Sequence, residues 1–239
     1  MGRLPDGVEL TWLGHATFIL KTAEGKRLLI DPWVMGNPAC PEDLKEPGPL
    51  DAMLVTHAHF DHIGDAVELG RRTGAPIVSI PETSWWLASK GLENLVEMNK
   101  GGTVEVAGAK VHMVHAVHSC GIRDGDQVVY GGEAAGYVIE LADGFKLYHA
   151  GDTAVFSDMA LIGKLLAPDV ALLPIGDHYT MGPRSAAEAV RLLGVKTVVP
   201  MHFGTFPVLA GTPDDLRAEA SDVAGLEVVD LKPGETLGA

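Results

Sequence analysis

Three imidazoles and a carboxylate fall within six positions in the segment Thr56-His57-Ala58-His59-Phe60-Asp61-His62, directly after an apolar run. Imidazole nitrogen and carboxylate oxygen are ligands suited to zinc and other first-row divalent metals. An apolar core has little use for four such groups together, because each needs a buried partner. A strand ending near Thr56 would fix the backbone, and the turn after it would let alternate side chains converge. The competing reading is a polar loop in which Asp61 caps a helix starting near Ile63. Capping and ligation by Asp61 are compatible.

Four ligands on one loop cannot complete two metal sites, so the rest must come from other strand ends. Three candidates each follow an apolar run. In Val111-His112-Met113-Val114-His115-Ala116-Val117-His118-Ser119, strand parity puts His112 and His118 on one face and His115 on the other. Periodicity favours His118, at the end of the run, over His115, and leaves His112 and His115 as ordinary partly buried histidines. Asp152, in His149-Ala150-Gly151-Asp152-Thr153, reads on its own as a helix N-cap. A carboxylate has two oxygens, however, and can bridge two cations. His202, in Val199-Pro200-Met201-His202, would be structural if it stood alone, but the cluster needs a sixth neighbour.

The elements that must position these groups read as an antiparallel start followed by alternating strands and helices. Strands are expected at 8–13, 17–22, 27–30, 52–56, 76–80, 103–106, 110–118, 137–141, 146–150, 170–173 and 197–200, with a short one at the end. Helices are expected at 63–72, 81–89, 156–166, 185–193 and 213–222. Asp143-Gly144 signals a hairpin. Asn37–Pro49 reads as a Pro-rich loop, and Gly121–Gly132 as a polar, Gly-rich loop that could serve as a mobile lid. No internal repeat or linker interrupts the chain. The pattern predicts an α+β architecture of two sheets with helices outside, in one domain over 1–239.

The 239 residues can bury a full core without disulfides, so a metal site is expected to be functional rather than a folding staple. The 32 acidic residues against 18 basic ones argue against nucleic acid and anionic membranes as partners. An anionic substrate is not excluded, since bound cations reverse the local sign. Cys40 and Cys120 give no disulfide framework, and Cys120 is expected to be a passive neighbour of His118. With no secretory-type N-terminus and no apolar span, a soluble cytoplasmic protein is expected.

The His-x-His-x-Asp-His run, His118 followed by Ser119, Gly151-Asp152-Thr153 and His202 resemble the metallo-β-lactamase superfamily in order and spacing. A closer resemblance is to metal-dependent hydrolases similar to L-ascorbate-6-phosphate lactonase, with N-acyl-phosphatidylethanolamine phospholipase D a more distant likeness. Carrying it are Trp12-Leu13-Gly14-His15-Ala16-Thr17, Ile30-Asp31-Pro32-Trp33, Thr56–Asp65, Pro174-Ile175-Gly176-Asp177, Tyr179-Thr180-Met181-Gly182-Pro183 and Pro200-Met201-His202. The resemblance implies a four-layer αββα sandwich (metallo-β-lactamase fold) with the site at the strand ends between the sheets. It implies that His57, His59 and His118 hold one metal, that Asp61, His62 and His202 hold a second, and that Asp152 bridges them. His15 and Asp31 would orient ligands from behind.

The expected function is a dinuclear metal-dependent hydrolase in which an activated water attacks an ester-type bond. Lactones or phosphorylated small molecules are favoured, and phosphodiester cleavage is the alternative. Two divalent ions are expected, zinc by ligand type, with manganese, nickel and iron fitting the same set. Asp61 is the expected proton acceptor, and His178 is a candidate substrate contact or leaving-group acid. A small-molecule substrate is the expected partner, and a homo-oligomer is compatible with the sequence. A diiron redox protein of the same fold would replace a cluster histidine with Glu, whereas His59 is retained here. A non-catalytic scaffold would be expected to lose ligands, and all seven are present.

Overall fold

The computed structural model describes residues 4–238. In chain order the strands are β1 Glu9–Trp12, β2 Phe18–Lys21, β3 Arg27–Ile30, β4 Ala52–Leu54, β5 Ile77–Ser79, β6 Leu95–Glu97, β7 Thr103–Val106, β8 Ala109–His115, β9 Gly121–Asp124, β10 Gln127–Tyr130, β11 Ala135–Glu140, β12 Lys146–His149, β13 Val170–Pro174, β14 Thr197–Met201, β15 Glu227–Val228 and β16 Thr236–Leu237. The helices are α1 Phe60–Ile63, α2 Ala66–Thr73, α3 Pro81–Ser89, α4 Met159–Leu166, α5 Pro183–Leu193 and α6 Pro213–Glu219.

Two seven-stranded sheets have the orders β16-β1-β2-β3-β4-β5-β6 and β15-β14-β13-β12-β11-β8-β7. Each begins with antiparallel neighbours, as in β1–β2–β3 and β8–β11–β12. Each then continues as parallel strands linked through helices, as in β4–β5–β6 and β12–β13–β14. The chain therefore repeats one architectural plan without repeating its sequence.

Strand parity explains the layering. In β3, Leu28 and Ile30 join the core shared by both sheets, while Leu29 joins a second cluster with Ala66 and Leu69 of α2 and Leu87 of α3. Strands covered on both faces read as unbroken apolar runs, and β3 and β13 do. On the far side, Met159 and Ile162 of α4 and Ala186, Ala187 and Val190 of α5 pack against the second sheet's side of the shared core. The four-layer α+β sandwich expected from the sequence is the observed architecture.

Several local expectations are corrected. Residues 121–132 are not an open loop: β9 and β10 form a hairpin around Gly125, whose φ is +62°. Ile122 is buried, and Asp124 accepts hydrogen bonds from Trp86 Nε1 (3.0 Å) and Lys90 Nζ (2.7 Å). The expected helix at 63–72 is split into α1 and α2. At the break, the Asp65 carboxylate accepts the backbone N–H groups of Val34 (2.6 Å) and Met35 (2.8 Å), pinning the loop after β3. The Pro-rich loop contains a 3₁₀ turn at Glu42–Leu44, and β6 was not anticipated. Among the described residues, no helix is long and apolar enough to cross a membrane.

Candidate metal centre

The cluster residues lie where strands of both sheets run out at their C-terminal ends. Asp31 directly follows β3, His57 follows β4, Asp152 follows β12, and His202 follows β14. Open sheets offer ligands a crevice at such carboxyl ends. Cross-sheet hydrogen bonds lock the seam. Ala135 N–H donates to Thr56 O (3.0 Å), Tyr137 Oη to Val55 O (2.7 Å), and His202 N–H to His15 O (2.9 Å). His149, fully buried, contacts Ala16 O through Nε2 (2.9 Å) and accepts Gly151 N–H at Nδ1 (3.1 Å). Burial lowers its pKa, so it stays neutral and fixes the turn before Asp152. That turn requires Gly151, whose φ is +61° and whose Cβ, if present, would lie 2.7 Å from Ala135 O.

His57, His59 and His118 have candidate ligand atoms within 4.8 Å of one another. The same holds for His15, Asp61, His62 and His202, and for His57, His62 and Asp152. Asp152 Oδ2 stands at the centre. It lies 3.0 Å from His202 Nε2, 3.3 Å from His62 Nε2, 3.6 Å from His118 Nε2 and 3.9 Å from His57 Nε2. These are ion-pair distances without hydrogen-bond alignment. His62 Nε2, Asp152 Oδ1 and both ring nitrogens of His202 are buried with no hydrogen-bond partner. Buried polar atoms are seldom left unpaired. Three of them, His62 Nε2, His202 Nε2 and Asp152 Oδ1, belong to groups that meet here, and imidazole and carboxylate donors of this kind fit a site for divalent cations.

The support behind this cluster fixes tautomers. Asp31, fully buried, accepts Thr56 N–H at Oδ1 (2.8 Å) and the Thr56 hydroxyl at Oδ2 (2.8 Å), and its Oδ2 lies 2.7 Å from His62 Nδ1. The carboxylate can only accept, so a proton belongs on His62 Nδ1, and Nε2 is the nitrogen that the neutral, metal-binding form of the ring leaves bare. Because the Thr56 hydroxyl spends its proton on Asp31, it accepts from His57 Nδ1 (3.1 Å), which bares His57 Nε2 as well. One carboxylate thus sets two imidazoles, one in each group of three. His15 donates from Nε2 to Asp61 Oδ2 (3.0 Å) and accepts the Thr205 hydroxyl at Nδ1 (3.0 Å). With both nitrogens engaged, it supports Asp61 from behind.

Titration follows the same logic. Burial pushes His15 down to about 4 against the pull of Asp61. Burial also pushes His57 well below the ordinary imidazole value, reinforced by the charge of His62. His59 and His118 are lowered chiefly by burial. Burial works to raise the Asp152 carboxyl, but His202 and His62 outweigh it and hold the group well below the carboxylate range. Burial is likewise opposed at Asp61, where the His15 hydrogen bond prevails and the pKa falls to about 2. His62 is the exception: Asp152 and Asp31 overcome its burial and raise it.

His15 (φ +56°), Asp31 (φ +50°) and His202 (φ +57°) hold left-handed backbone without being glycine. Such strain costs on the order of 1–3 kcal/mol per residue and collects at functional sites.

His118 arrives by a different route from the one parity suggested. β8 ends at His115, so alternation no longer applies, and Val117 leaves the sheet through bonds to Thr153 Oγ1 (3.0 Å) and Ala154 N (3.1 Å). Asp61 caps no helix: His59 is the N-cap of α1, and it makes no side-chain cap bond. Nor does Asp152 cap one, since α4 begins seven residues later. His178 is not brought to the cluster. It is exposed at φ +60°, packs against Tyr179 (4.4 Å between centroids) and borders a separate depression of about 660 Å³ with Arg184 and Asp215. Tyr179 instead lines the cavity over the cluster, about 630 Å³, with His59, Asp61, His118, Asp152, Phe60 and Phe206. Cys120 accepts Ala58 N–H (3.3 Å) and donates to Gly131 O (3.3 Å), so it is a structural thiol. Thr56, Tyr137 and His149 were not singled out from the sequence. Each lies inside an apolar strand or at its end, where pattern alone carries no sign of a site.

Two sheets in four layers, with an imidazole–carboxylate cluster at their seam, define a metal-dependent hydrolase of the metallo-β-lactamase fold. The beta-lactamase superfamily domain is matched over residues 26–203. The chain is 59% identical to a UPF0173 metal-dependent hydrolase of Koribacter versatilis, over 97% of this chain and 98% of that one. It is 53% identical to another of Rubrobacter xylanophilus, over 98% and 97%. A solved metallo hydrolase from the archaeon Ignicoccus hospitalis superposes with a TM-score of 0.84 at 39% identity, covering 96% of this chain and 97% of that one. The chain belongs to the UPF0173 metal-dependent hydrolase family.

Proposed function

We propose that the protein is a dinuclear hydrolase of ester-type bonds in small molecules, with lactones or phosphorylated small molecules preferred. The reading rests on one observation above all: a single oxygen, Asp152 Oδ2, lies within 4 Å of His57 and His118 from one group of three and of His62 and His202 from the other. In this reading His57, His59 and His118 would hold one cation and Asp61, His62 and His202 the second, with Asp152 available to both. The donor types favour zinc. When bound, the two cations would supply Lewis acidity, lowering the pKa of water and stabilising charge on the attacked group.

The chain's own side chains do the rest. Asp61, kept ionised by His15 and bordering the cavity, accepts the proton of the attacking water. Water adds at the acyl carbon, the C–O bond breaks, and the leaving oxygen takes up that proton. Buried Trp33 packs behind Phe60 (5.8 Å between centroids) and Phe206 (6.1 Å), and those two rings keep one wall of the cavity apolar. His178 is left out of proton transfer because it borders the other depression.

The test is metal content followed by a substrate panel of lactones, carboxylic esters and phosphodiesters on wild type, His57→Ala and Asp152→Ala. The expected result is two metals per chain in wild type and loss of ester or lactone turnover in both variants. Turnover of phosphodiesters alone would overturn the ester preference. Full activity after the metals are stripped would overturn the reading altogether.

A further inference from the structure

The β9–β10 hairpin places one cation on the cavity wall. Ile122 and Asp124 face inward, towards the second core cluster and α3. Alternation turns Gly121 and Arg123 to the opposite face, and both line the cavity over the metal centre. The ribbon is held at its base by Gly131 N–H to Cys120 O (3.0 Å) and along its length by the paired Asp124. Arg123 is therefore presented by an anchored element.

The Arg123 side chain is exposed and forms no ion pair or hydrogen bond with the described residues, although the chain carries 32 acidic groups. Its sequence neighbour Asp124 is committed to Lys90 and Trp86. The two carboxylates that border the same cavity, Asp61 and Asp152, are engaged with His15 and the imidazole cluster. Arg184, which borders the neighbouring depression, shares it with Asp177, Asp215 and Glu219. The remaining outer wall around Arg123 is largely apolar: Phe60, Phe206, Pro207 and Val208, with Tyr179. A guanidinium offers a planar fork of donors matched to carboxylate or phosphate oxygens.

We propose that Arg123 is the anion-binding residue of this cavity, and that the substrate is a small molecule with an apolar body and one oxyanion group, carboxylate or phosphate, remote from the bond that is cut. This rests on the ester-hydrolase reading of the cavity. Arg123 acts in binding and takes no part in the bond-breaking step.

The test uses the zinc-loaded protein, with R123A and R123K beside wild type. Two esters of equal length, 4-nitrophenyl hexanoate and mono-4-nitrophenyl adipate, differ only in a terminal carboxylate in place of a methyl group. The charged-to-neutral ratio of kcat/KM is expected to fall about tenfold to a hundredfold in R123A, carried by KM, with part restored in R123K. Calorimetric titration with hexyl phosphate, hexanoate and hexan-1-ol reads binding independently of turnover. Whichever anion loses about tenfold or more in R123A identifies the preferred group. A ratio and anion affinities within twofold of wild type would overturn the proposal, as would a wild type with no preference for either anion over the alcohol. If neither ester is cleaved but anion binding depends on Arg123, the ester reading fails and the subsite stands. If both esters are cleaved equally well with and without Arg123, the reverse holds.

Discussion

Asp31→Asn changes one atom and should disable two imidazoles. In the native arrangement Oδ2 accepts from the Thr56 hydroxyl and meets His62 Nδ1 at 2.7 Å. With Oδ1 still accepting Thr56 N–H, the asparagine amide puts an NH₂ where Oδ2 stood. Facing that donor, His62 Nδ1 must accept, and its proton moves to Nε2, the atom 3.3 Å from Asp152. The Thr56 hydroxyl, now accepting from the amide, turns its own proton towards His57 Nδ1 and drives that ring into the same unsuitable tautomer. A hydrogen bond to a charged group is worth about 1.5–3 kcal/mol. Loss of such support behind a metal ligand typically costs about tenfold to a hundredfold in affinity. Both metal positions should therefore weaken by that factor, whereas Thr56→Val, which keeps Asp31 against His62, should weaken chiefly the one that uses His57. Zinc affinity is read by competition with a chromophoric chelator, with circular dichroism to confirm the fold. If folded Asp31→Asn binds two zinc ions within threefold of wild type, the tautomer relay is wrong.

Two further outcomes follow from buried groups that are not among the cluster's ligands. Tyr148 is fully buried and its hydroxyl has no partner, so Tyr148→Phe should leave stability unchanged or raise it by about 1 kcal/mol, a Tm gain of about 2–4 °C; a clear loss in a thermal melt would contradict this. Burial pushes the Cys40 thiol up to about 11 and raises Cys120 as well. At pH 8 only about one Cys40 in a thousand is thiolate, so a disulfide reagent should label the native protein slowly, about tenfold faster per pH unit below 11. Rapid labelling of both thiols without denaturant would count against it.

Much of the centre was legible because its chemistry is unusual. Three imidazoles and a carboxylate after an apolar strand have few other uses, and the structure does bring His57, His59, Asp61 and His62 together with His118, Asp152 and His202. Sheet layering was also readable, since β3 and β13 are apolar on both faces and β1 alternates. What escaped depends on contacts between distant segments. The 121–132 stretch looks like a solvated loop because the side chains that anchor it, Ile122 and Asp124, meet the second core cluster and Trp86 of α3 only in the folded chain. Parity chose His118 on the premise of a strand that in fact stops at His115. The break between α1 and α2 is set by Asp65 reaching the loop after β3, which no helical periodicity records.

Three residues of the centre, His15, Asp31 and His202, keep their backbones on the left-handed side. Drift towards comfort at those positions would be self-defeating, because a relaxed turn would swing an imidazole or a carboxylate away from its neighbours. Sturdiness cannot then be gained from within the pocket and must be sought at remote positions such as Tyr148. A lineage or an engineer selecting only for heat tolerance should leave those three turns alone, and one that eased them would have traded catalysis for durability.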